Sequence, residues 1–309
     1  MTQRPESLAA KCAFISCCAV FGCFARIFTD KLFSLEVVLE GHHAPFVQSF
    51  VSNAVGSFIL GALVRSELNE DVLPGLYTGL TTGFCGSYTT YSGWNLQLSP
   101  AEVGDSPTLE TSDEAVAVFS LLITVVFFTC CLIAGGDVAA AMAEGLGTFP
   151  RQMARFARLS IGLGLSVVLV LTLALLLGLE GPENERRRVY WLSGLFAPFG
   201  ALSRFFLARW FNDCWAGGVF PWGTFLANLS GSIMLGIIHY SSREGGGWEG
   251  TMINGFQTGF ISCLTTMSSF VAEVFSHRSK NSKGASYLYL ASTILMTQGV
   301  VAIIGLSLG

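Results

Sequence analysis

The chain has 309 residues, of which 51% are apolar and only 12% charged, and it carries a net charge of −4. A water-soluble domain carries about a quarter charged residues, and a mean hydropathy of +0.57 leaves too little polar surface to cover a soluble globule. The small net charge and the lack of a basic patch argue against a nucleic-acid partner.

Hydropathy divides the chain into blocks near the ~20 residues that cross a ~30 Å hydrocarbon layer. Residues 9–28 form the first block. It is long and ends in an arginine motif, so it reads as a membrane helix and not as a cleaved signal. Residues 46–64 form the second, and residues 72–98 form a long third block rich in Gly, Thr and Ser. The fourth covers residues 115–133. A polar, arginine-containing stretch over 135–158 is expected as an exposed interfacial loop. The fifth block, residues 159–179, is nearly all Leu, Val, Gly and Ile. Residues 181–188 read as a turn ending in Arg186, Arg187 and Arg188. Blocks at 189–209, 220–240, 251–275 and 286–308 complete nine spans. Most of the nine cysteines, including Cys12, Cys17, Cys18, Cys23, Cys130 and Cys131, sit inside these blocks. None has zinc spacing with histidine, and they read as small buried hydrophobes.

Self-comparison reveals a repeat. Gly22-x-x-x-Arg26 in block one matches Gly200-x-x-x-Arg204 in block six. Asn53-x-x-Gly56-Ser57 matches Asn228-x-x-Gly231-Ser232, and Ser49 and Thr224 precede those asparagines by the same interval. The Gly-rich stretch from Gly79 to Ser92 pairs with that from Gly255 to Ser268, each carrying a Thr-Thr pair. Ser120 and Thr124 parallel Thr293 and Thr297. The fifth block has no counterpart. The expected fold is therefore an all-α membrane protein of two four-helix repeats (residues 1–134 and 189–309). Residues 135–188 supply a polar loop and a linker helix. An odd linker span inverts the second repeat, and inverted repeats place transport sites near the bilayer midplane. Ten basic residues on one side against five on the other put the N-terminus in the cytoplasm.

Arg26 and Arg204 lie near the ends of apolar helices. A charge in a membrane span is costly and marks a site, although a snorkelling anchor has the same pattern. Their duplication favours a fixed positive charge at a pore mouth. Asn53 and Asn228 are either helix–helix glue or amide donors to a dehydrated ion. The mid-span stretches Gly86 to Thr90 and Ser262 to Thr266 are either broken helices lining a cavity or intact helices with back-bonded threonines. Ser120, Thr124, Thr293 and Thr297 put hydroxyls on one helical face, as an anion path or as packing. Tyr91 with Trp94 and Met267 with Phe270 share faces and offer ring edges, which are positive, or simply fill a core. No catalytic constellation is present, and acidic residues almost entirely avoid the spans.

At GxxxR, NxxGS and the doubled Thr-Thr stretch the sequence resembles the Fluc/FEX family of fluoride channels, in its eukaryotic two-domain form. The resemblance covers about two thirds of the chain and omits the linker. It implies a fusion of two subunits that, in bacterial members, form antiparallel dual-topology homodimers. It implies a chain that works as a monomer, in a plasma membrane, with no coupled ion. It also implies two pores and a central structural Na+ on backbone carbonyls. Those carbonyls map to Gly86, Thr89, Ser262 and Thr265. The phenylalanine boxes of the family map to Tyr91, Trp94, Met267 and Phe270, of which Phe270 alone is phenylalanine. That departure implies that one pore has decayed. A secondary transporter for another small solute and a non-transporting scaffold are the competing readings.

Overall fold

A computed structural model of the chain describes residues 7–34, 47–66, 74–98, 112–145, 185–212, 220–241, 247–280 and 283–308. Block five and most of the expected loop before it lie outside these residues. Among the described residues the secondary structure is helical, with no strand. The helices are α1 (Leu8–Ser34), α2 (Val47–Arg65), α3 (Pro74–Thr78), α4 (Gly86–Tyr88), α5 (Ser92–Gln97) and α6 (Ser112–Gly145) in the first half. The second half has α7 (Glu185–Phe211), α8 (Trp222–Ser241), α9 (Gly247–Phe256), α10 (Ser262–Leu264), α11 (Met267–Lys280) and α12 (Lys283–Leu308). Two π-helical segments, π1 (Gly79–Cys85) and π2 (Gln257–Ile261), join α3 to α4 and α9 to α10.

Five helices among the described residues are long and apolar enough to cross a membrane: Leu8–Phe33, Ser120–Ala143, Arg187–Phe211, Gly247–Ser276 and Lys283–Leu308. Ser49–Arg65 is a shorter apolar helix. The burial pattern has the same sense. Val126, Leu295, Ile303 and Leu306 face outward, while Asn53, Asn95, Asn228, Thr293 and Thr297 are completely buried. Water would penalise that arrangement on both counts. Lipid favours it, because polar groups that bond one another inside are shielded from hydrocarbon. The chain is a multi-pass membrane protein.

The third and eighth blocks are broken, which decides between the two sequence readings. Thr89 is extended at φ −98°, ψ 152°, and Thr265 at φ −89°, ψ 156°. Each break follows a π-helical segment, where one residue too many is accommodated in the turn. Ser262 illustrates the wider turn, its hydroxyl donating to Gln257 O five residues back at 3.1 Å.

Two symmetric contacts build the centre. Helix α1 packs on π1 and on α7, and α7 packs on π2. The close approach needs glycine. A Cβ on Gly22 would overlap the Phe84 carbonyl oxygen, and one on Gly200 would overlap that of Phe260. Gly22→Ala therefore forces backbone apart, and overpacking of this kind costs about 1–3 kcal/mol. A lower thermal midpoint in detergent for that variant is the expected result; an unchanged midpoint would contradict the packing.

Outside this centre, α2 packs on α6 and α8 on α12. After the breaks the chain crosses over. Helix α5 of the first half packs on α8 and α12, whereas α11 of the second half packs on α2 and α6. Each half thus completes the other's bundle.

Two boundaries differ from expectation. Helix α6 runs on through Gly145, where the sequence suggested a loop from residue 135. Ala139, Ala140, Ala141 and Ala143 are strong helix formers and carry it past the apolar run. The triple arginine belongs to the first turns of α7 and not to a preceding turn. Glu185 at its start offsets the poor match of basic residues to a helix N-terminus, and Arg188 lies over the Trp248 ring at 5.3 Å.

Candidate functional site

The crossover is held by side chains that cap backbone. Asn53 Oδ1 accepts from Thr90 N at 2.8 Å and its Nδ2 donates to Thr90 O at 3.0 Å. Asn228 does the same for Thr266, at 2.9 Å and 3.2 Å. Each asparagine clamps the break of its own half with one amide N–H, leaving a second N–H per group. Gly56 and Gly231, three residues on, make room for the break threonines. A Cβ on Gly56 would overlap the Thr89 methyl, and one on Gly231 that of Thr265.

Those threonines work in trans. The Thr265 hydroxyl accepts from Tyr91 N at 3.3 Å and Ser92 N at 3.2 Å, at the start of α5. The Thr89 hydroxyl accepts from Ser268 N at 3.3 Å, at the start of α11. Each half supplies the N-cap for the crossing helix of the other. Contacts between Thr89 and Thr266 (3.2 Å) and between Thr90 and Thr265 (3.3 Å) close the junction.

The arginines are not at a mouth. Arg26 is 4% exposed and Arg204 3% exposed. Arg26 donates to Thr258 O at 2.5 Å and Ser87 O at 3.2 Å. Arg204 donates through Nη1 to Gly86 O at 2.6 Å and Thr265 O at 3.2 Å, and through Nη2 to Thr82 O at 2.7 Å. Each bridges the halves through main-chain carbonyls. The sequence placed them near span ends. The π-helical segments and breaks, which present free carbonyls at depth, draw them inward.

That geometry bears on the sodium site implied by resemblance. Two of its four carbonyls, Gly86 O and Thr265 O, accept from one guanidinium nitrogen. A metal cation on the same two oxygens would compete with Nη1 for that position. Two unit charges 4 Å apart repel by about 4 kcal/mol at an effective dielectric near 20. As arranged, these carbonyls fit a guanidinium and do not fit sodium beside it.

Two polar tracks flank the junction, one per half, and they differ. In the second, Tyr289, Thr293 and Thr297 line α12 and are fully buried. Tyr289 OH donates to Glu273 Oε2 at 2.8 Å, and Thr224 Oγ1 donates to Glu273 Oε1 at 2.6 Å. Asn212 Nδ2 reaches the same carboxylate at 3.3 Å. Rings follow: Phe270 meets Tyr289 at 5.3 Å and Tyr91 at 5.4 Å, both edge-on. Tyr91, from the first half, lies 2.9 Å from Thr297 Oγ1 through its hydroxyl. Thr297 has a single proton, with Thr293 O at 2.8 Å and Asn95 Oδ1 at 3.0 Å as acceptors, so Tyr91 is the donor in that pair.

In the first half, Ser49 Oγ donates to Gln97 Oε1 at 3.0 Å, at the place matching Thr224 and Glu273. Beyond it the polar track stops. Trp94 Nε1 donates to Thr124 Oγ1 at 3.1 Å. Leu98, Leu121, Val125, Phe128 and Met267 pack around it in a buried cluster that continues into Tyr91, Phe270 and Tyr289 of the second track. Ser120 is half-buried on the same helix. The candidate residues thus form two tracks that share one buried cluster, the second carrying the longer run of hydrogen-bonded side chains.

Sequence reading missed Glu273, Tyr289, Asn95 and Asn212. Glu273 lies at α11, one turn after Phe270, in a block whose lack of acids seemed informative. The available signal was its position opposite Gln97 in the repeat. Among the described residues no group of His, Cys, Asp and Glu is placed to hold a metal ion.

A family model for "CrcB-like protein, Camphor Resistance (CrcB)" matches residues 13–136 and 191–306, one stretch in each half. Fluoride export protein 1 of Candida albicans is 30% identical over 254 residues, 77% of this chain and 63% of that protein. Fluoride export protein 1 of Neurospora crassa is 29% identical over 249 residues, 71% of this chain and 45% of that protein. The chain thus spans less than two thirds of either fungal relative. The fluoride-specific ion channel FluC of Variovorax paradoxus is 38% identical over 100 residues, 31% of this chain and 74% of that protein. A bacterial protein of that length corresponds to one half of this chain. No solved structure matches the chain. With both halves matched separately and across most of their length, the chain belongs to the CrcB-like family.

Proposed function

We propose that the chain is a fluoride-selective channel that lets F⁻ leave the cytoplasm passively, and that the track beside α12 is its path. The observation that carries this reading is the buried run of Tyr289, Thr293 and Thr297, bordered by the rings of Phe270 and Tyr91. Small, hard anions need strong donors to replace water. Hydroxyls and ring edges at close quarters supply them. The donors that converge on the Glu273 carboxylate, from Thr224, Tyr289 and Asn212, are of the type that holds an anion. The names of the fungal and bacterial relatives support fluoride as that anion.

The first-half track is the decayed one. Around Trp94 and Thr124 the first half packs Leu121, Val125 and Phe128 of α6, where the second half carries Tyr289 and Glu273. Tyr91 serves the conducting track from across the junction, Met267 the closed one.

The two halves are upside-down copies of each other. Reciprocal packing of α5 and α11 supports a two-fold relation between the halves, and the odd number of apolar blocks in the sequence supports the inversion. The chain acts as a monomer in the plasma membrane. Efflux needs only the inside-negative potential, worth about 2.3 kcal/mol per charge per 100 mV.

Purified protein in liposomes tests the reading. Fluoride release on addition of a potassium ionophore is expected, with no chloride release. Equal release of both ions would reject selectivity, and release that saturates and requires a second solute gradient would favour a transporter. Tags on the two ends should face opposite sides of the membrane, as nine spans with inverted halves require; tags on the same side would mean an even span count and would reject the inversion.

A further inference from the structure

We propose that the Arg204 guanidinium is the built-in cation of the central junction, so that this chain needs no sodium ion to join its two halves. A single nitrogen, Nη1, bridges Gly86 O of the first half at 2.6 Å and Thr265 O of the second at 3.2 Å. Nη2 adds Thr82 O at 2.7 Å, which ties down π1 as well. Three carbonyls from two breaks and a π-helical segment thus meet one fixed positive charge. Neutralising such converging dipoles is the task of a metal ion, and a guanidinium performs it with directed hydrogen bonds.

The sequence explains why Arg204 enters and Arg26 does not. Gly86 lacks a Cβ, and one placed there would run into Arg204 Nη2, Cζ and Nη1. The guanidinium lies in the space that glycine leaves. At the matching position of the second half stands Ser262, whose side chain fills that space and bonds Gln257 O. Arg26 accordingly stops at Thr258 O and Ser87 O. One small residue on one side admits one arginine.

Symmetry gives the arrangement its logic. In a dimer of identical subunits, a side chain that reaches the two-fold axis meets its own copy. Only an ion or a water can sit there. Fusing the halves in one chain lets them differ, and a single arginine can then take the central place. Gly86 opposite Ser262 is such a difference.

The inference is tested by thermal unfolding of the purified protein in detergent, a readout independent of whether fluoride is the permeant ion. A ligand that binds only the folded state raises the midpoint with its concentration. Wild-type protein moved from sodium chloride to potassium or N-methylglucamine chloride should keep its midpoint, and in liposomes its fluoride flux. Arg204→Lys keeps a cation but loses the fork, so it should melt lower than wild type while remaining insensitive to sodium. Arg204→Gln frees the carbonyls and should melt lower in sodium-free medium, with a saturable rise as sodium is added. A wild-type midpoint that rises saturably with sodium but not potassium would overturn the proposal, and it decides the matter even where Arg204→Gln fails to fold. Flux absent in every salt, with a sodium-insensitive midpoint, would sink the channel reading and leave this inference standing.

Discussion

Asn228→Asp is expected to abolish fluoride efflux, while Asn53→Asp lowers stability and spares it. The two asparagines make the same pair of bonds to the break of their own half. Aspartate keeps the acceptor for the threonine N–H but sets a carboxylate against the threonine carbonyl. A buried group left unsatisfied costs about 1–3 kcal/mol, so both variants should melt earlier. The tracks then separate them. A carboxylate at position 228 sits on α8, which packs on α12 and the proposed F⁻ path, and two like charges 4 Å apart repel by about 4 kcal/mol at an effective dielectric near 20. At 1.36 kcal/mol per tenfold, that slows permeation roughly a thousandfold, to the leak of empty vesicles. The same charge at position 53 sits on α2, which packs on α6 in the half proposed as closed. Efflux at the wild-type rate from Asn228→Asp vesicles would refute the role of this asparagine.

Much of this fold was legible because lipid imposes a simple code. Long apolar blocks gave α1, α2, α7, α8 and α12 nearly to their ends. The doubled motifs pointed to the residues that meet at the centre, including Asn53, Asn228, Arg26 and Arg204. What each does there was not legible, because the partners are backbone atoms. Thr90 O, Thr266 O, Gly86 O and Thr82 O carry no residue signature, and only the three-dimensional break exposes them. The reciprocal capping by Thr89 and Thr265 is invisible for the same reason: the capped helix lies in the other half, 173 to 179 residues away. The π-helical segments were hidden too, since one extra residue in a turn leaves hydropathy unchanged. Glu273 was overlooked because intramembrane acids are rare, yet its three neutral donors make it affordable at that depth. The asymmetry of the tracks, by contrast, could be read directly. Tyr91, Trp94 and Met267 depart from phenylalanine and mark one pore as altered, but not which one.

That asymmetry yields the last expected result: Thr297→Val should cut fluoride efflux ten- to roughly a hundredfold, and Thr124→Val should not slow it. Valine keeps the shape of threonine and removes its hydroxyl. At Thr297 the hydroxyl joins Tyr91 OH, Asn95 Oδ1 and the path through Thr293. Turning the Thr297 proton from Thr293 O and Asn95 Oδ1 to a passing ion makes a hydrogen bond to a charged group, a kind that contributes about 1.5–3 kcal/mol, and the valine variant lacks it. At Thr124 the hydroxyl accepts from Trp94 Nε1 in a buried apolar surround. Its loss orphans an indole N–H at a cost of about 1–3 kcal/mol, so Thr124→Val should show a lower melting temperature instead. The two variants thus carry crossed signatures, one in flux and one in stability. Fluoride efflux and thermal unfolding measured on the same two preparations read both. Flux lost in Thr124→Val and kept in Thr297→Val would transfer conduction to the first half, and the hydroxyl column of α12 would then be packing alone.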